Sequence, residues 1–152
     1  MGRISRTNYF LNLAQEASKR STCNRAHHGC VLVGPDNLVK AIGYNGSLPG
    51  EPHCDEVGCS IVTRSNKSGA QDDHCIRTIH AELSALSQLL VRERPLTAYI
   101  TGSPCAMCYK ALVAFGVTKI FISYAYNEDY ERDQLVDIYR VPIFIVPIEK
   151  AQ

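Results

Sequence analysis

No apolar run in these 152 residues approaches the roughly 20 that a membrane-crossing helix needs, so a helical membrane protein is excluded. The opening stretch MGRISRTNYFLNL lacks a signal-peptide core followed by small residues. Arg6 stands where a myristoylation motif wants Ser or Thr. A cytoplasmic protein with no membrane partner is the expectation. Excess charge is missing too: 16 Lys and Arg against 15 Asp and Glu leave a formal net charge of +1. That argues against a nucleic-acid partner, which usually meets a basic stripe. A small anionic ligand needs only one or two cations and stays open. Internal repeats and low-complexity tracts are absent, so residues 1–152 are expected to form a single domain. That length buries roughly 68–70% of the surface the unfolded chain exposes.

Cysteine and histidine are plentiful instead. Cys23, Cys30, Cys54, Cys59, Cys75, Cys105 and Cys108 are joined by His27, His28, His53, His74 and His80. In a reducing compartment such a set points to metal ligation or catalysis more than to a disulfide framework.

The apolar periodicity predicts a helix in TNYFLNLAQEASKRS, with Phe10, Leu13 and Ala17 at turn-like spacing. CVLVGPDNLVKAIGYN reads as a hairpin turning at Gly-Pro-Asp-Asn. Residues 46–76 read as a long irregular loop, rich in Gly, Pro, Ser and Asp, with five of the twelve Cys and His residues. A loop of that length inside a compact domain is usually functional, and its thiols suggest that something pins it. Beyond it, IHAELSALSQLLVRERP predicts a helix burying Ile79, Leu83, Leu86 and Leu90 and closed by Pro95. TAYIT, KIFIS and VPIFIVPI read as strands separated by helices in CAMCYKALVAFG and EDYERDQLVDIY. Strand and helix alternating with short joints imply parallel pairing. The expected fold is α/β: a three-layer αβα sandwich around a mixed, roughly five-stranded sheet.

SPCAMC carries the sharpest chemical signal. Ser103 and Pro104 suit the N-cap and first position of a helix. Cys105 and Cys108 then share a face of the first turn, at the positive end of the helix dipole, which favours thiolates. Alone, Cys-x-x-Cys could be half a zinc site, a redox dithiol or two core residues. HAEL opens another helix with His80 and Glu82. A catalytic zinc takes three protein ligands and leaves a fourth position for water, and His80, Cys105 and Cys108 supply three. H-x-E followed by P-C-x-x-C is the pattern of zinc deaminases, with the Glu as acid/base and not as ligand. In that chemistry zinc brings the pKa of water to ~7. Glu82 would carry protons to N3 of a cytosine ring and to the departing amine at C4.

SKRSTCNRA, GYNGS, HCIRTIHAEL and SPCAMC together resemble the deoxycytidylate deaminases of the cytidine and deoxycytidylate deaminase superfamily, in their bacterial and phage form, over nearly the full chain. The resemblance implies zinc-dependent hydrolysis of dCMP to dUMP and ammonia on the route to dTMP. Zinc ligands would be His80, Cys105 and Cys108, and the proton shuttle Glu82. It further implies substrate contacts at Asn45 of GYNG, with Arg25 and Tyr126 toward the nucleotide end. A homo-hexamer activated by dCTP and inhibited by dTTP with Mg2+ is the family's usual form. Where relatives read Val-Gly-Ala at the first strand, this chain has His28-Gly29-Cys30, which suggests a 5-substituted dCMP or another cytosine nucleotide as alternative substrates. Some relatives carry a second zinc, with cysteines matching Cys23 and Cys54. Cys59 and His74 would complete such a structural site here, with Cys75 and His53 in reserve. Two rival readings are a deaminase acting on tRNA or single-stranded DNA, disfavoured by the near-neutral charge, and a catalytically silent nucleotide-binding zinc protein, disfavoured by the presence of Glu82.

Overall fold

Strand β1 (Gly29–Val33) is buried along its whole length, because its side chains alternate between two apolar layers. The structure is a computed structural model describing residues 2–65, 68–90, 94–126 and 128–148. A tight turn with Asn37 in the left-handed region (φ 61) returns the chain as β2 (Val39–Tyr44), antiparallel to β1. Strands β7 (Leu96–Gly102), β8 (Val117–Tyr124) and β9 (Ile143–Ile145) complete a mixed sheet of order β2-β1-β7-β8-β9. β7 pairs antiparallel with β1, and β8 runs parallel to both its neighbours.

Helix α1 (Arg6–Ser18), capped by the Ser5 hydroxyl accepting from the Asn8 N–H at 3.1 Å, covers one face. Its Phe10, Leu11 and Ala14 pack on Val31, Val33 and Tyr99. Helices α3 (Ala81–Leu86), α4 (Ala106–Ala114) and α5 (Tyr130–Tyr139) lie on the other face. There Cys30, Leu32, Ala98, Ile100 and Ile120 meet Ala81, Ala85, Tyr109 and Leu112. The αβα sandwich expected from the sequence is thus the fold. Among the described residues no helix is long and apolar enough to cross a membrane.

Two expectations need correcting. α3 ends at Leu86; Leu83 is 38% and Leu90 99% exposed, and residues 91–93 of the expected helix lie outside the described residues. The buried face is Ala81, Glu82, Ala85 and Leu86, and where α3 lies against Gly43 of β2 it approaches through its small residues Ala81 and Ala85. A Cβ at Gly43 would fall 2.3 Å from the Ala81 carbonyl oxygen and 2.4 Å from the Ala85 nitrogen. Residues 46–76 are also more regular than a loop. β3 (Gly46–Ser47) pairs with β6 (Thr78–Ile79). Between them lie the short α2 (Cys54–Val57) and an antiparallel ribbon of β4 (Ile61–Ser65) and β5 (Gln71–Cys75). All five residues of β4 are exposed, so little apolar burial holds the ribbon down.

Candidate active site

Each of the helices α3 and α4 starts on a metal-competent side chain. His80 is the N-cap of α3 and Cys105 the N-cap of α4, both in extended backbone and neither capping its helix with its own side chain. Imidazole and thiol are therefore free for a ligand, and α4 starts two residues later than the sequence suggested. Ser103 takes another task, its hydroxyl accepting the Tyr126 N–H at 2.9 Å. The open N–H of Ala106 donates to Asp129 Oδ2 at 3.0 Å, while Asp129 Oδ1 accepts the Arg132 N–H at 2.9 Å. One carboxylate thus caps α4 and α5 together. Asp129 was not singled out from the sequence; its place before α5 marks it as a cap, but the second bond depends on tertiary contact.

The three donor atoms of His80, Cys105 and Cys108 lie within 4.8 Å of one another, His80 exposed, Cys108 buried and Cys105 between. His80 Nδ1 stands 3.6 Å from Cys105 Sγ and 3.3 Å from Cys108 Sγ. The hydrogen bond from Cys108, then that from His80 and the Cys108 backbone N–H, hold the Cys105 thiol at about 4 against the effect of burial. Cys108 is pushed up, first by its bond to Cys105 and then by burial. The bond to Cys105 raises the pKa of His80. Two sulfurs and a nitrogen on facing helix starts suit zinc, with a fourth position left open.

Glu82 is buried, and burial raises its pKa, opposed by the bond from its own backbone N–H and by His80. It is hydrogen-bonded to Cys108 yet does not belong to the three-donor cluster. A carboxyl beside the ligands, drawn toward neutral pH, has the placement a proton shuttle needs. Cys30, fully buried, is raised by burial and by Glu82.

The expected substrate contacts are placed as follows. Asn45 is buried, its Oδ1 accepting the His28 N–H at 2.7 Å and its Nδ2 donating to the Ala26 carbonyl at 2.8 Å. Its amide shapes the approach to β1. Arg25 donates to the Asp73 carbonyl of β5 at 2.7 Å. Tyr126 meets the His28 ring edge-on at 5.0 Å. Of the second metal set, Cys54, Cys59 and Cys75 converge, their sulfurs within 4.8 Å of one another. His74 pairs with Asp72 at 3.1 Å instead, since it points from β5 opposite to Cys75, its neighbour. Cys23 is buried but outside that trio. Its sulfur accepts the Arg25 N–H at 3.4 Å, and the next residue, Asn24, donates to the Cys54 carbonyl at 2.7 Å. Burial would raise Cys75, but the backbone N–H groups of Arg77, Ser60 and Thr78 hold it at about 7. Burial, followed by bonds to Cys75 and Cys59, lifts Cys54 to about 12.

Residues 4–124 match the family described as the cytidine and deoxycytidylate deaminase zinc-binding region. The chain belongs to this family. It is 36% identical to ComE operon protein 2 of Bacillus subtilis over 86% of the chain and 64% of that protein. It is 35% identical to the deoxycytidylate deaminase of Schizosaccharomyces pombe over 84% of the chain and 39% of that protein. The chain therefore spans less than two thirds of these two relatives. Among solved structures, the dCMP deaminase of cyanophage S-TIM5 in complex with dCMP and dUMP superposes with a TM-score of 0.69 at 20% identity, covering 97% of this chain and 99% of that one. That likeness supports the fold.

Proposed function

We propose that the chain is a zinc-dependent deaminase that hydrolyses dCMP to dUMP and ammonia. The observation carrying this reading is the His80–Cys105–Cys108 cluster with buried Glu82 beside it. His80 Nδ1 and the two sulfurs would hold zinc. When bound, the metal supplies a Lewis acid that makes hydroxide available near neutral pH. Glu82 takes a proton from water and gives it to N3 of the cytosine ring, then carries a second proton to the exocyclic amine. The carbon–oxygen bond at C4 forms, the carbon–nitrogen bond breaks, and ammonia leaves. Burial keeps Glu82 able to hold the proton between these steps. The names of the relatives favour dCMP as substrate. An ammonia-release assay over dCMP, CMP, dCTP and deoxycytidine tests it. Turnover of dCMP foremost is expected, and inactivity on all four would refute the assignment.

The reading extends to a second, structural zinc. Cys54, Cys59 and Cys75 would give three ligands, and Cys23, docked beside α2 through Asn24, the fourth. Closed four-sulfur coordination suits a structural site and would anchor the exposed ribbon. Metal analysis should return two zinc per chain in the wild type and one in Cys75→Ser; one in undamaged wild type rejects the site. Hexamer formation and control by dCTP and dTTP with Mg2+ rest on the resemblance, and light scattering with and without dCTP tests the assembly.

A further inference from the structure

Cys105 supplies one sulfur of the metal-competent cluster, and the chain on either side of it is tied to the start of α5. Ser103 Oγ accepts the Tyr126 N–H at 2.9 Å, and the Pro104 carbonyl accepts from Arg132 Nη1 at 3.4 Å. On the far side the Ala106 N–H donates to Asp129 Oδ2 at 3.0 Å. These bonds reach residues 103, 104 and 106, with Cys105 held between them. The other sulfur is steadied from the same direction. Tyr109, the residue after Cys108, donates its hydroxyl to the Val141 carbonyl at 2.9 Å.

Within this clamp Asp129 is fixed at both of its oxygens. Oδ1 accepts the Arg132 N–H at 2.9 Å while Oδ2 holds Ala106. Arg132 is itself buried, its Nε and Nη2 donating to Asp133 Oδ1 at 3.1 and 2.9 Å. A hydrogen bond to an ionised carboxylate is roughly twice as strong as a neutral one. The N–H that Asp129 takes belongs to the peptide joining Cys105 to Ala106, at the very start of α4. The first N–H groups of a helix have no acceptor within it. An external carboxylate therefore decides how that peptide lies, and with it the direction in which the Cys105 side chain leaves the backbone.

We infer that Asp129 is a positioning residue for the zinc site: through the Ala106 N–H its carboxylate orients Cys105 so that the sulfur meets His80 and Cys108. The inference rests on the zinc reading of that cluster. Groups that hold metal ligands in place typically contribute 10–100-fold in metal affinity. Asp129 acts through a neighbouring peptide, which puts its share at about the lower figure. Serine at this position separates its two bonds. It caps a helix about as well as aspartate does, so α5 keeps its start, but its single oxygen, committed to α5, leaves Ala106 unpaired.

The test follows, by chelator competition, the zinc that Cys105→Ala lacks, in the wild type, Asp129→Ser and Ser5→Ala, with thermal melting of each. Ser5→Ala controls for a lost helix cap, because Ser5 caps α1 on the opposite face of the sheet. Asp129→Ser should hold this zinc about tenfold more weakly and melt close to the wild type. Ser5→Ala should melt lower and hold zinc as the wild type does. Cobalt(II) loaded in place of zinc adds a spectroscopic readout, since its d–d bands report ligand geometry; they should shift in Asp129→Ser alone. Unchanged zinc affinity or an unshifted cobalt spectrum in Asp129→Ser overturns the inference, as does an equal loss of affinity in Ser5→Ala. Should Asp129→Ser not fold, Asp129→Asn, which also caps a helix, is judged by the same two measurements. A Cys105→Ala protein that retains all its zinc removes the underlying reading instead, whatever Asp129 does.

Discussion

Two thiol clusters sit on this chain, and they are built in opposite ways. His80, Cys105 and Cys108 stand at the starts of helices whose bodies are sunk in the core, with Ala81, Ala85, Tyr109 and Leu112 fully buried. Cys54, Cys59 and Cys75 sit on a four-residue helix and beside a ribbon whose β4 is exposed throughout. Packing prearranges the first cluster whether or not a metal is there. The second is held by a few hydrogen bonds, such as those from Asn24 to the Cys54 carbonyl and from Arg25 to the Asp73 carbonyl, with little apolar burial in the ribbon around it. One cluster borrows its order from the fold, and the other, on the proposed reading, would lend order to its surroundings through a bound zinc.

The largest effect expected is on chemistry alone. Glu82→Gln should lower kcat by about 10²–10⁴-fold, the usual contribution of a general acid–base, with zinc content unchanged by elemental analysis. The same variant gives a pH test. Because burial raises the Glu82 pKa in the fold, the stability associated with this group is present below the ordinary carboxylate pKa of about 4.3 and is lost as pH rises through the raised value. Chelator-treated Glu82→Gln should therefore melt higher than chelator-treated wild type at neutral pH, with no gain at acid pH below both pKa values.

Exchange of cysteines sharpens the contrast between clusters. Cys105→Ala should abolish turnover and remove one zinc while leaving the melting temperature nearly unchanged. Cys75→Ser should remove the other zinc, expose the ribbon to proteolysis and lower the melting temperature by about 2–4 °C per kcal/mol lost. Identical melting shifts in the two variants would break the contrast. Smaller effects belong to the scaffold under the triad. Gly43→Ala forces α3 off β2 and should destabilise by about 1–3 kcal/mol, with weaker zinc retention. Asp129→Ala, which removes a shared cap, should lose about 1–2 kcal/mol in denaturant unfolding.

The sequence made the candidate site readable because its motifs are local. H-x-E and P-C-x-x-C each lie within a single turn of chain, and the glycines and prolines around them mark where strands give way to helices. Strand and helix alternation after residue 95 likewise led directly to the parallel half of the sheet. Depth was harder to see. Leu83 and Leu90 look like core residues at helical spacing, but α3 is short and its contact surface is set by Gly43 on a distant strand. The caps were misplaced for a related reason, since Ser103 is bonded to Tyr126 and a carboxylate from α5 serves α4. In the ribbon, period-two geometry puts His74 and Cys75 on opposite sides, so their adjacency in sequence could not reveal which one joins Cys54. The commitment of the Asn45 amide to Ala26 and His28 was equally invisible before the strands were assembled.

The most direct test is ammonia release from dCMP by zinc-loaded wild type and by Glu82→Gln of equal zinc content, measured side by side. One ammonia for each dUMP formed by the wild type, with the variant at least a hundredfold slower, is expected. Equal rates in the two proteins, or a zinc-loaded wild type inert toward dCMP, would contradict the pairing of a packed metal triad with a buried proton carrier.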